Sequence, residues 1–270
     1  MVKILSDSTC DLSRELLEKY DISILPLHIL LGEKEYCDGV DITPDEIFQW
    51  SDAQKTTPKT SAPALDMAME MLEPFVKEKQ PVICFSISED MSTSANVMRM
   101  AASELEAEDL VTVIDSASLS TGIGLLVLHA AEMAQAGKTV EEIQTEIVEL
   151  KSKVRASFVV DTLVYLYRGG RCSGLAAMFG SALHLHPMIV VENGKMHSSK
   201  KYRGKLSKVI LDYAKDLKEQ MEQARSERVF ITHSGCSPEV VEKVRSYVEE
   251  LHIFDEILIT RAGGVISSHC

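Results

Sequence analysis

Short apolar runs alternate with amphipathic helical patterns along most of this 270-residue chain. Several runs are apolar at consecutive positions, which is typical of strands covered on both faces. Such strands favour an α/β fold, because parallel neighbours need a crossover that a helix can supply. The predicted strands are Val2–Leu5, Ile22–Leu31, Val82–Phe85, Val111–Ile114, Phe158–Val160, Met188–Val191, Val229–Thr232, Ile257–Thr260 and Val265–Ser267.

Capping signals mark two of the helices between these strands. "TPDE" at 43–46 combines an N-cap Thr, a Pro at the first helical position and a Glu at the third. "TVEE" at 139–142 repeats the capping box, and apolar residues then recur at helical spacing. Both segments are therefore predicted to begin helices.

The polar segment "LKSKVRAS", residues 150–157, separates the first four predicted strands from the last five. We therefore predict two α/β domains with mainly parallel sheets, residues 1–152 and 153–270. Since no Pro-rich or Gly-rich linker separates them, we expect the domains to pack closely. The cleft between them is the expected ligand site.

Composition argues against several classes of function. The net charge of −13 would repel nucleic acid, so no nucleic-acid partner is predicted. No stretch approaches the roughly 20 apolar residues that span a bilayer, and no signal-peptide pattern follows Met1, so we expect at most transient membrane contact. The six Cys form no C-x-x-C pair and the His show no metal-ligand spacing beyond "HLH". We predict no metal site and a reducing, cytoplasmic location.

Hydroxyl-rich segments recur where predicted strands run into helices. "SDSTCD" (6–11), "SISEDMSTSANV" (86–97) and "IDSASLSTGIG" (114–124) follow strands, and "KTSAP" (59–63) precedes a helical pattern. In an open α/β sheet such turns gather at the carboxyl ends of the strands, where helix N-termini attract anions. One such turn is usually a helix cap, whereas four at one edge favour a pocket for an anion or a carbonyl group.

Six of the 12 Met lie near two of these turns. Met lines adaptable apolar sites, although it also fills ordinary cores. Next to the hydroxyl turns, we interpret them as a soft apolar lining that would suit a long-chain carboxylic acid. They are Met67, Met69, Met71, Met91, Met98 and Met100.

The residues alone leave other functions open. An α/β kinase or esterase would need a phosphate loop or a G-x-S-x-G nucleophile, and the sequence has neither. A binder of another small anion, such as a phosphorylated metabolite, would need less apolar lining. The Gly pair in "YLYRGGRCSG" would let Arg168 or Arg171 approach a carboxylate or phosphate, or simply form a turn. The basic run from Lys195 to Lys208 is either a solvated face or a docking patch.

Six segments, in order along essentially the whole chain, resemble motifs of the DegV family. This family comprises bacterial fatty-acid-binding proteins and includes the binding subunit of fatty acid kinase. The segments are "SDSTCDL" (family D-S-x-x-D-L), "TSAP" (T-S-x-P), "MSTSAN" (L-S-G-T-Y-x-S), "VIDSASLSTGIG" (D-S-x-x-x-S-x-G-x-G), "YLYRGGRCSG" (Y-L-x-x-G-G-R-I) and "SSH" (the start of H-x-G-P-G).

The resemblance implies a non-catalytic protein that holds one long-chain fatty acid between its domains and needs no cofactor. A partner fatty acid kinase, which carries ATP and Mg²⁺, would phosphorylate the bound acid to an acyl phosphate. The implied site residues are Thr60 and Ser92 on the carboxylate, Ser61 and Ser94 in support, and Arg171 and His269 near the head group or the kinase-facing surface.

We therefore expect Lys59, Thr60 and Ser61 to cap a helix whose end forms half of the carboxylate site. Three positions depart from the family pattern. Glu89 brings a negative charge close to this site, and Thr93 and Ala95 replace a common Gly and Tyr.

Overall fold

The structure is a computed structural model that describes residues 1–173 and 185–270. Its strands are β1 (Lys3–Asp7), β2 (Ile22–Leu25), β3 (His28–Leu31), β4 (Lys34–Cys37), β5 (Lys59–Ser61), β6 (Val82–Ser86), β7 (Val111–Asp115), β8 (Ala156–Val159), β9 (Cys172–Ser173), β10 (Leu185–Glu192), β11 (Lys195–Arg203), β12 (Arg228–His233) and β13 (Glu256–Arg261).

A 3-10 helix covers Ser8–Cys10. The α-helices are α1 (Arg14–Lys19), α2 (Pro44–Gln54), α3 (Leu65–Lys77), α4 (Ser94–Glu104), α5 (Thr121–Gln135), α6 (Val140–Lys151), α7 (Val164–Gly169), α8 (Leu206–Asp216), α9 (Lys218–Glu222), α10 (Pro238–Glu250) and α11 (Gly264–Ser267). The capping boxes predicted at Thr43 and Thr139 are both present, at the starts of α2 and α6.

The central sheet contains four parallel strands in the order β2-β1-β6-β7. Alternate side chains of its buried strands enter two different cores. Ile4 and Ile83 pack with α5 on one face, whereas Leu5 and Cys84 pack with α3 and α4 on the other. Burial on both faces explains why β1 and β6 are apolar at consecutive positions.

The other sheets are mostly antiparallel. In the sheet β8-β10-β11-β9, β10 runs antiparallel to both β8 and β11, and only β9 joins in parallel. A three-stranded sheet, β4-β3-β5, is antiparallel throughout, and β12 and β13 form a parallel pair. The predicted α/β class is therefore confirmed, while these antiparallel sheets were not foreseen.

Two predicted strands are corrected. Ile22–Leu31 forms two strands, β2 and β3, which belong to different sheets and are separated at Pro26. Pro lacks the N–H that a continuous ladder needs. Val265–Ser267 is helical, in α11, because two apolar residues followed by a Ser cannot distinguish a strand from one buried helical turn.

The predicted helix cap at Lys59–Ser61 is also wrong. These residues form β5, in which Thr60 lies opposite Ile29 of β3. Helix α3 begins only at Leu65, after Ala64, which has no capping side chain. The hydroxyls of "KTSAP" are therefore carried by a strand, and pairing with β3 fixes their direction.

The two halves of the chain make direct contacts. The hydroxyls of Thr121 on α5 and Thr232 on β12 are 2.7 Å apart, and Ser88 donates a hydrogen bond of 2.7 Å to the carbonyl of Gly194. Arg228 on β12 pairs with Glu132 on α5. The division into residues 1–152 and 153–270 stays a prediction. Within the described ranges, no helix combines the length and apolar composition that a bilayer span requires.

Candidate functional site

A cavity of about 1610 Å³ has walls from both halves of the chain. It exceeds the range of about 300–1,000 Å³ that is usual for pockets of drug-sized ligands. Much of its wall is apolar, with contributions from α5, β8, β12 and the C-terminal segment. These side chains include Leu119, Leu126, Phe158, Val160, Phe230 and Ile266.

Three of the four hydroxyl-rich turns lie at one edge of the parallel sheet, as predicted. They follow β1, β6 and β7, which are adjacent parallel strands, so their carboxyl ends meet at the same edge. The cavity wall includes Ser92 and Thr93 after β6, and Ser120 and Thr121 after β7. The fourth segment reaches the cavity by another route, through Thr60 on β5.

Ser92 and Ser94 occupy different places in the turn before α4. Ser92 is partly exposed on the cavity wall, and its Oγ accepts a hydrogen bond of 3.3 Å from the backbone N–H of Ser94. Ser94 is completely buried behind that wall. The structure therefore presents the hydroxyl of Ser92 to the cavity, and Ser94 supports it through the backbone.

Thr60 contacts His269 although 209 positions separate them in the sequence. The Oγ1 atom of Thr60 lies 2.9 Å from Nε2 of His269. Strand β5 carries Thr60, and the end of the segment after α11 carries His269. Gly169 makes room for the ring, since a Cβ at this position would lie 2.4 Å from Nδ1 of His269. Ser61 is exposed next to Thr60 on the same wall.

His269 is neutral near pH 7. Burial, with a smaller effect from the positive charge of Arg171, lowers the pKa of its imidazole to about 4. A neutral ring has one nitrogen that donates and one that accepts. When Nε2 carries the proton it donates to Thr60, whose own hydroxyl hydrogen is then free for a ligand in the cavity.

Arg171 supplies a positive charge at the same end of the cavity. Its Nη1 donates a hydrogen bond of 2.6 Å to the carbonyl of Gly169, and its Nε lies 3.5 Å from the carbonyl of Met91. The side chain is exposed and also lines the cavity. Arg171 therefore stands where the cavity meets solvent, a position that favours an anion.

Glu89 forms an ion pair within the protein. The sequence had placed its negative charge close to the expected carboxylate site. Its Oε1 accepts a hydrogen bond of 2.5 Å from Arg99 on α4. Both side chains are about half exposed. The guanidinium of Arg99 therefore offsets the charge of Glu89 at this edge of the cavity.

The predicted methionine lining is wrong for five of the six residues. Of these six, only Met91 lines the cavity. Met67, Met69, Met71 and Met98 pack in the core on the opposite face of the parallel sheet, and Met100 is exposed. Helices α3 and α4 cover that face, so their methionines fill an ordinary core. The apolar strands β8 and β12, whose side chains line the cavity, were the better signal.

No group of three or more His, Cys, Asp or Glu side chains in residues 1–173 and 185–270 is arranged to hold a metal ion. The polar end of the cavity offers hydroxyls, a neutral imidazole and one guanidinium. Such donors can bind and orient an anion.

The fold and the site together define an α/β protein whose largely apolar cavity has a polar, cation-bearing end. The chain belongs to the DegV family: the family described as "Uncharacterised protein, DegV family" matches residues 1–270. A DegV domain-containing protein of Clostridium perfringens is 38% identical over 203 residues, which are 75% of this chain and 72% of that protein.

Solved structures of fatty-acid-binding proteins share the fold. A DegV family protein from Thermus thermophilus, described by its fatty acid binding, superposes with a TM-score of 0.87 at 29% identity, covering 99% of this chain and 95% of that one. A stearic acid-binding protein from Eubacterium ventriosum gives a TM-score of 0.85 at 32% identity, with coverage of 100% and 94%.

The lowered pKa of His269 predicts a pH-dependent stability. Between about pH 4 and 6.5 the folded protein binds fewer protons than the unfolded chain, so stability should fall as the pH drops through this window. The slope from this residue is at most about 1.4 kcal/mol per pH unit. Urea unfolding at about pH 7 and about pH 5 should show a smaller loss for His269→Asn than for the wild type.

The control for this experiment is His252→Asn. His252 is exposed and has a φ of 52°, a conformation that Asn tolerates. This variant should lose as much stability as the wild type over the same pH interval. An identical loss in His269→Asn would show that His269 titrates alike in the folded and unfolded protein.

Proposed function

We propose that this protein binds one long-chain fatty acid between its two domains, with the carboxylate at Thr60 and Ser92. The meeting of Thr60, Ser92 and Arg171 at one end of a large apolar cavity carries this proposal. The similarity to fatty-acid-binding proteins from Thermus thermophilus and Eubacterium ventriosum supports it.

The apolar part of the cavity would provide most of the affinity. Burial of a methylene group contributes about 0.8 kcal/mol, so a C16 tail contributes on the order of 12 kcal/mol before the entropy costs of binding. A buried carboxylate costs several kcal/mol when it has no donors. The hydroxyls therefore permit the head group to enter and set the direction of the tail.

The head group would lie at the mouth of the cavity, within reach of solvent. Arg171 is exposed there and adds a long-range attraction for an anion. Ser61 lies next to Thr60, and Ser94 supports Ser92 through its backbone N–H. His269 would orient the Thr60 hydroxyl, because its neutral ring contacts this side chain directly.

We further propose that a partner kinase, which carries ATP and Mg²⁺, phosphorylates the exposed carboxylate. The basic run of Lys195–Lys208 would help to dock this partner. Its first residue lies close to the mouth, because Nζ of Lys195 is 3.5 Å from the Asp90 carboxylate, two residues before Ser92. A reducing cytoplasm fits the five cysteines whose side chains are described, which are all free thiols.

The first prediction of the proposed function is that the protein purifies with a fatty acid. Denaturing extraction followed by mass spectrometry should release a long-chain acid in near-stoichiometric amount, and stearic acid should bind the delipidated protein in calorimetry. An extract without lipid, together with no heat of binding, would refute the proposal. A phosphorylated metabolite in the extract would instead favour a binder of another small anion.

The second prediction concerns the two hydroxyls. Thr60→Val and Ser92→Ala each remove a donor to the carboxylate and should weaken stearic acid binding by about 1–3 kcal/mol. The double variant should deviate from additivity, because both groups share one partner. Ser199→Ala, which removes an exposed hydroxyl away from the cavity, is the control. Single variants that bind within about twofold of the wild type would place the carboxylate elsewhere.

The third prediction separates binding from catalysis. With ATP, Mg²⁺ and stearic acid, the isolated chain should produce no ADP above background, since phosphoryl transfer requires phosphate and metal clamps. With a cognate kinase, Arg171→Glu should reduce turnover more than it reduces binding. Arg168→Glu reverses an exposed charge three residues earlier, on α7, and is the matched control. ADP production that a point mutation in the chain abolishes would identify an enzyme.

A further inference from the structure

Two buried carboxyl groups hold the last residues of the described chain. Oδ1 of Asp11 accepts a hydrogen bond of 2.8 Å from the backbone N–H of Gly263, and Oδ1 of Asp38 accepts one of 2.7 Å from that of Gly264. Asp11 and Asp38 are 5% and 2% exposed. Buried carboxyl groups destabilise a fold unless they are hydrogen-bonded. The two contacts with the glycines satisfy part of the hydrogen-bonding capacity of Asp11 and Asp38.

The second oxygen of each carboxyl group is fixed within the N-terminal half. Oδ2 of Asp11 accepts a hydrogen bond of 2.5 Å from Ser120, and Oδ2 of Asp38 accepts one of 2.8 Å from Ser8. The Oγ of Ser8 in turn accepts a hydrogen bond of 3.2 Å from the backbone N–H of Leu27. Both carboxyl groups are therefore held in place independently of the glycines that they bind.

Helix α11 depends on its hydrogen bonds to Asp11 and Asp38, which lie elsewhere in the sequence. It has four residues, too few for a helix that is stable alone, and Gly263 at its N-cap offers no side chain. Asp11 and Asp38 accept from its first N–H groups, as a capping side chain would. The fit is close, because a Cβ on Gly264 would lie 2.8 Å from Oδ1 of Asp38 and 2.6 Å from Cδ1 of Ile29.

The same segment carries His269 to Thr60. The backbone N–H of His269 donates to the carbonyl of Ile266 at 3.0 Å, so the residue continues directly from α11. Ile29, which packs against Gly264, is also the β3 residue opposite Thr60 on β5. One strand therefore supports both partners of the contact between His269 and Thr60.

We propose that Asp11 and Asp38 are positioning residues: they dock the segment 262–270 and thereby hold His269 against Thr60 at the head-group site. Neither carboxyl group lines the cavity. The effect on fatty acid affinity rests on the proposed function, whereas the docking itself does not. By thermodynamic linkage, a ligand that binds more tightly when the segment is docked must also favour docking.

Asn is the conservative replacement at position 11. Burial raises the pKa of Asp11 to about 8, which favours the neutral form of its carboxyl group. An amide can accept from Gly263 through its oxygen, and its nitrogen can donate to the Ser120 hydroxyl in place of the hydrogen bond that Asp11 accepts from it. Asp11→Asn should therefore retain the docked segment, whereas Asp11→Ala and Asp38→Ala remove the acceptors.

Cys270 and His269 report docking without a ligand. Burial raises the pKa of the Cys270 thiol to about 12, which slows its reaction with alkylating reagents. The residue is partly buried and lines the cavity, so all variants are compared as delipidated protein. In folded Asp11→Ala and Asp38→Ala, alkylation of Cys270 by iodoacetamide, read by peptide mass spectrometry, should accelerate about tenfold or more, as expected when about 1.4 kcal/mol of docking energy is lost. The NMR-measured pKa of His269 should rise from about 4 toward 6.5.

Stearic acid affinity is measured on the same proteins. It should fall about tenfold in the two Ala variants and much less in Asp11→Asn, while Asp109→Ala, at an exposed site, should match the wild type. Unchanged Cys270 alkylation and an unchanged His269 pKa in a folded Ala variant would overturn the proposal. If the wild type binds no stearic acid, the proposed function fails, but these two readouts still test the positioning.

If the Ala variants do not fold, a variant within the segment 262–270 tests whether that segment is docked by the two carboxyl groups. Gly264→Val places side-chain atoms against Asp38 and Ile29 and leaves both carboxyl groups intact. Faster alkylation of Cys270, with far-UV circular dichroism unchanged, would support the docking role. Alkylation at the wild-type rate would overturn it.

Discussion

Parallel pairing of β1, β6 and β7 is the constraint on which the rest of the structure depends. It brings three carboxyl strand ends to one edge, and the polar turns that follow them must satisfy one another there. The carboxylate of Asp7 accepts from the N–H of Ile87 at 2.9 Å, and the N–H of Ser88 donates to the carbonyl of Ser118 at 2.9 Å. These hydrogen bonds join the turns into a fixed polar wall beside an apolar cavity.

The polar end of the cavity is completed by segments that are distant in sequence. Thr60 arrives on β5, which is fixed by pairing with β3, and His269 arrives on the segment that Asp11 and Asp38 dock. Gly169, from the end of α7, makes room for the imidazole. Each part is weak alone, since a three-residue strand and a four-residue helix have little local stability. Their mutual contacts therefore determine whether the site exists.

The features that could be predicted from the sequence are those with local signals. Continuous apolar runs identified the parallel strands, and the capping boxes at Thr43 and Thr139 identified two helix starts. β5 and α11 could not be predicted, because β3 and the carboxyl groups of Asp11 and Asp38 stabilise them from outside. The prediction that the methionines line the cavity was wrong because it used only local spacing. Spacing along the chain places a residue on a helix, but it does not show which face of the sheet that helix covers.

The distribution of charge at the site suits a carboxylate that has to stay reactive in the proposed function. A cation buried beside the carboxylate would form a tight ion pair, which lowers the basicity of the oxygens and resists separation. Here the partly buried imidazole of His269 is neutral, and the permanent charge is on Arg171, which is exposed at the mouth. Neutral hydroxyl donors can hold the head group without neutralising it. In the proposed function the apolar cavity would retain the tail, so the carboxylate could face a second protein while the acid stays bound.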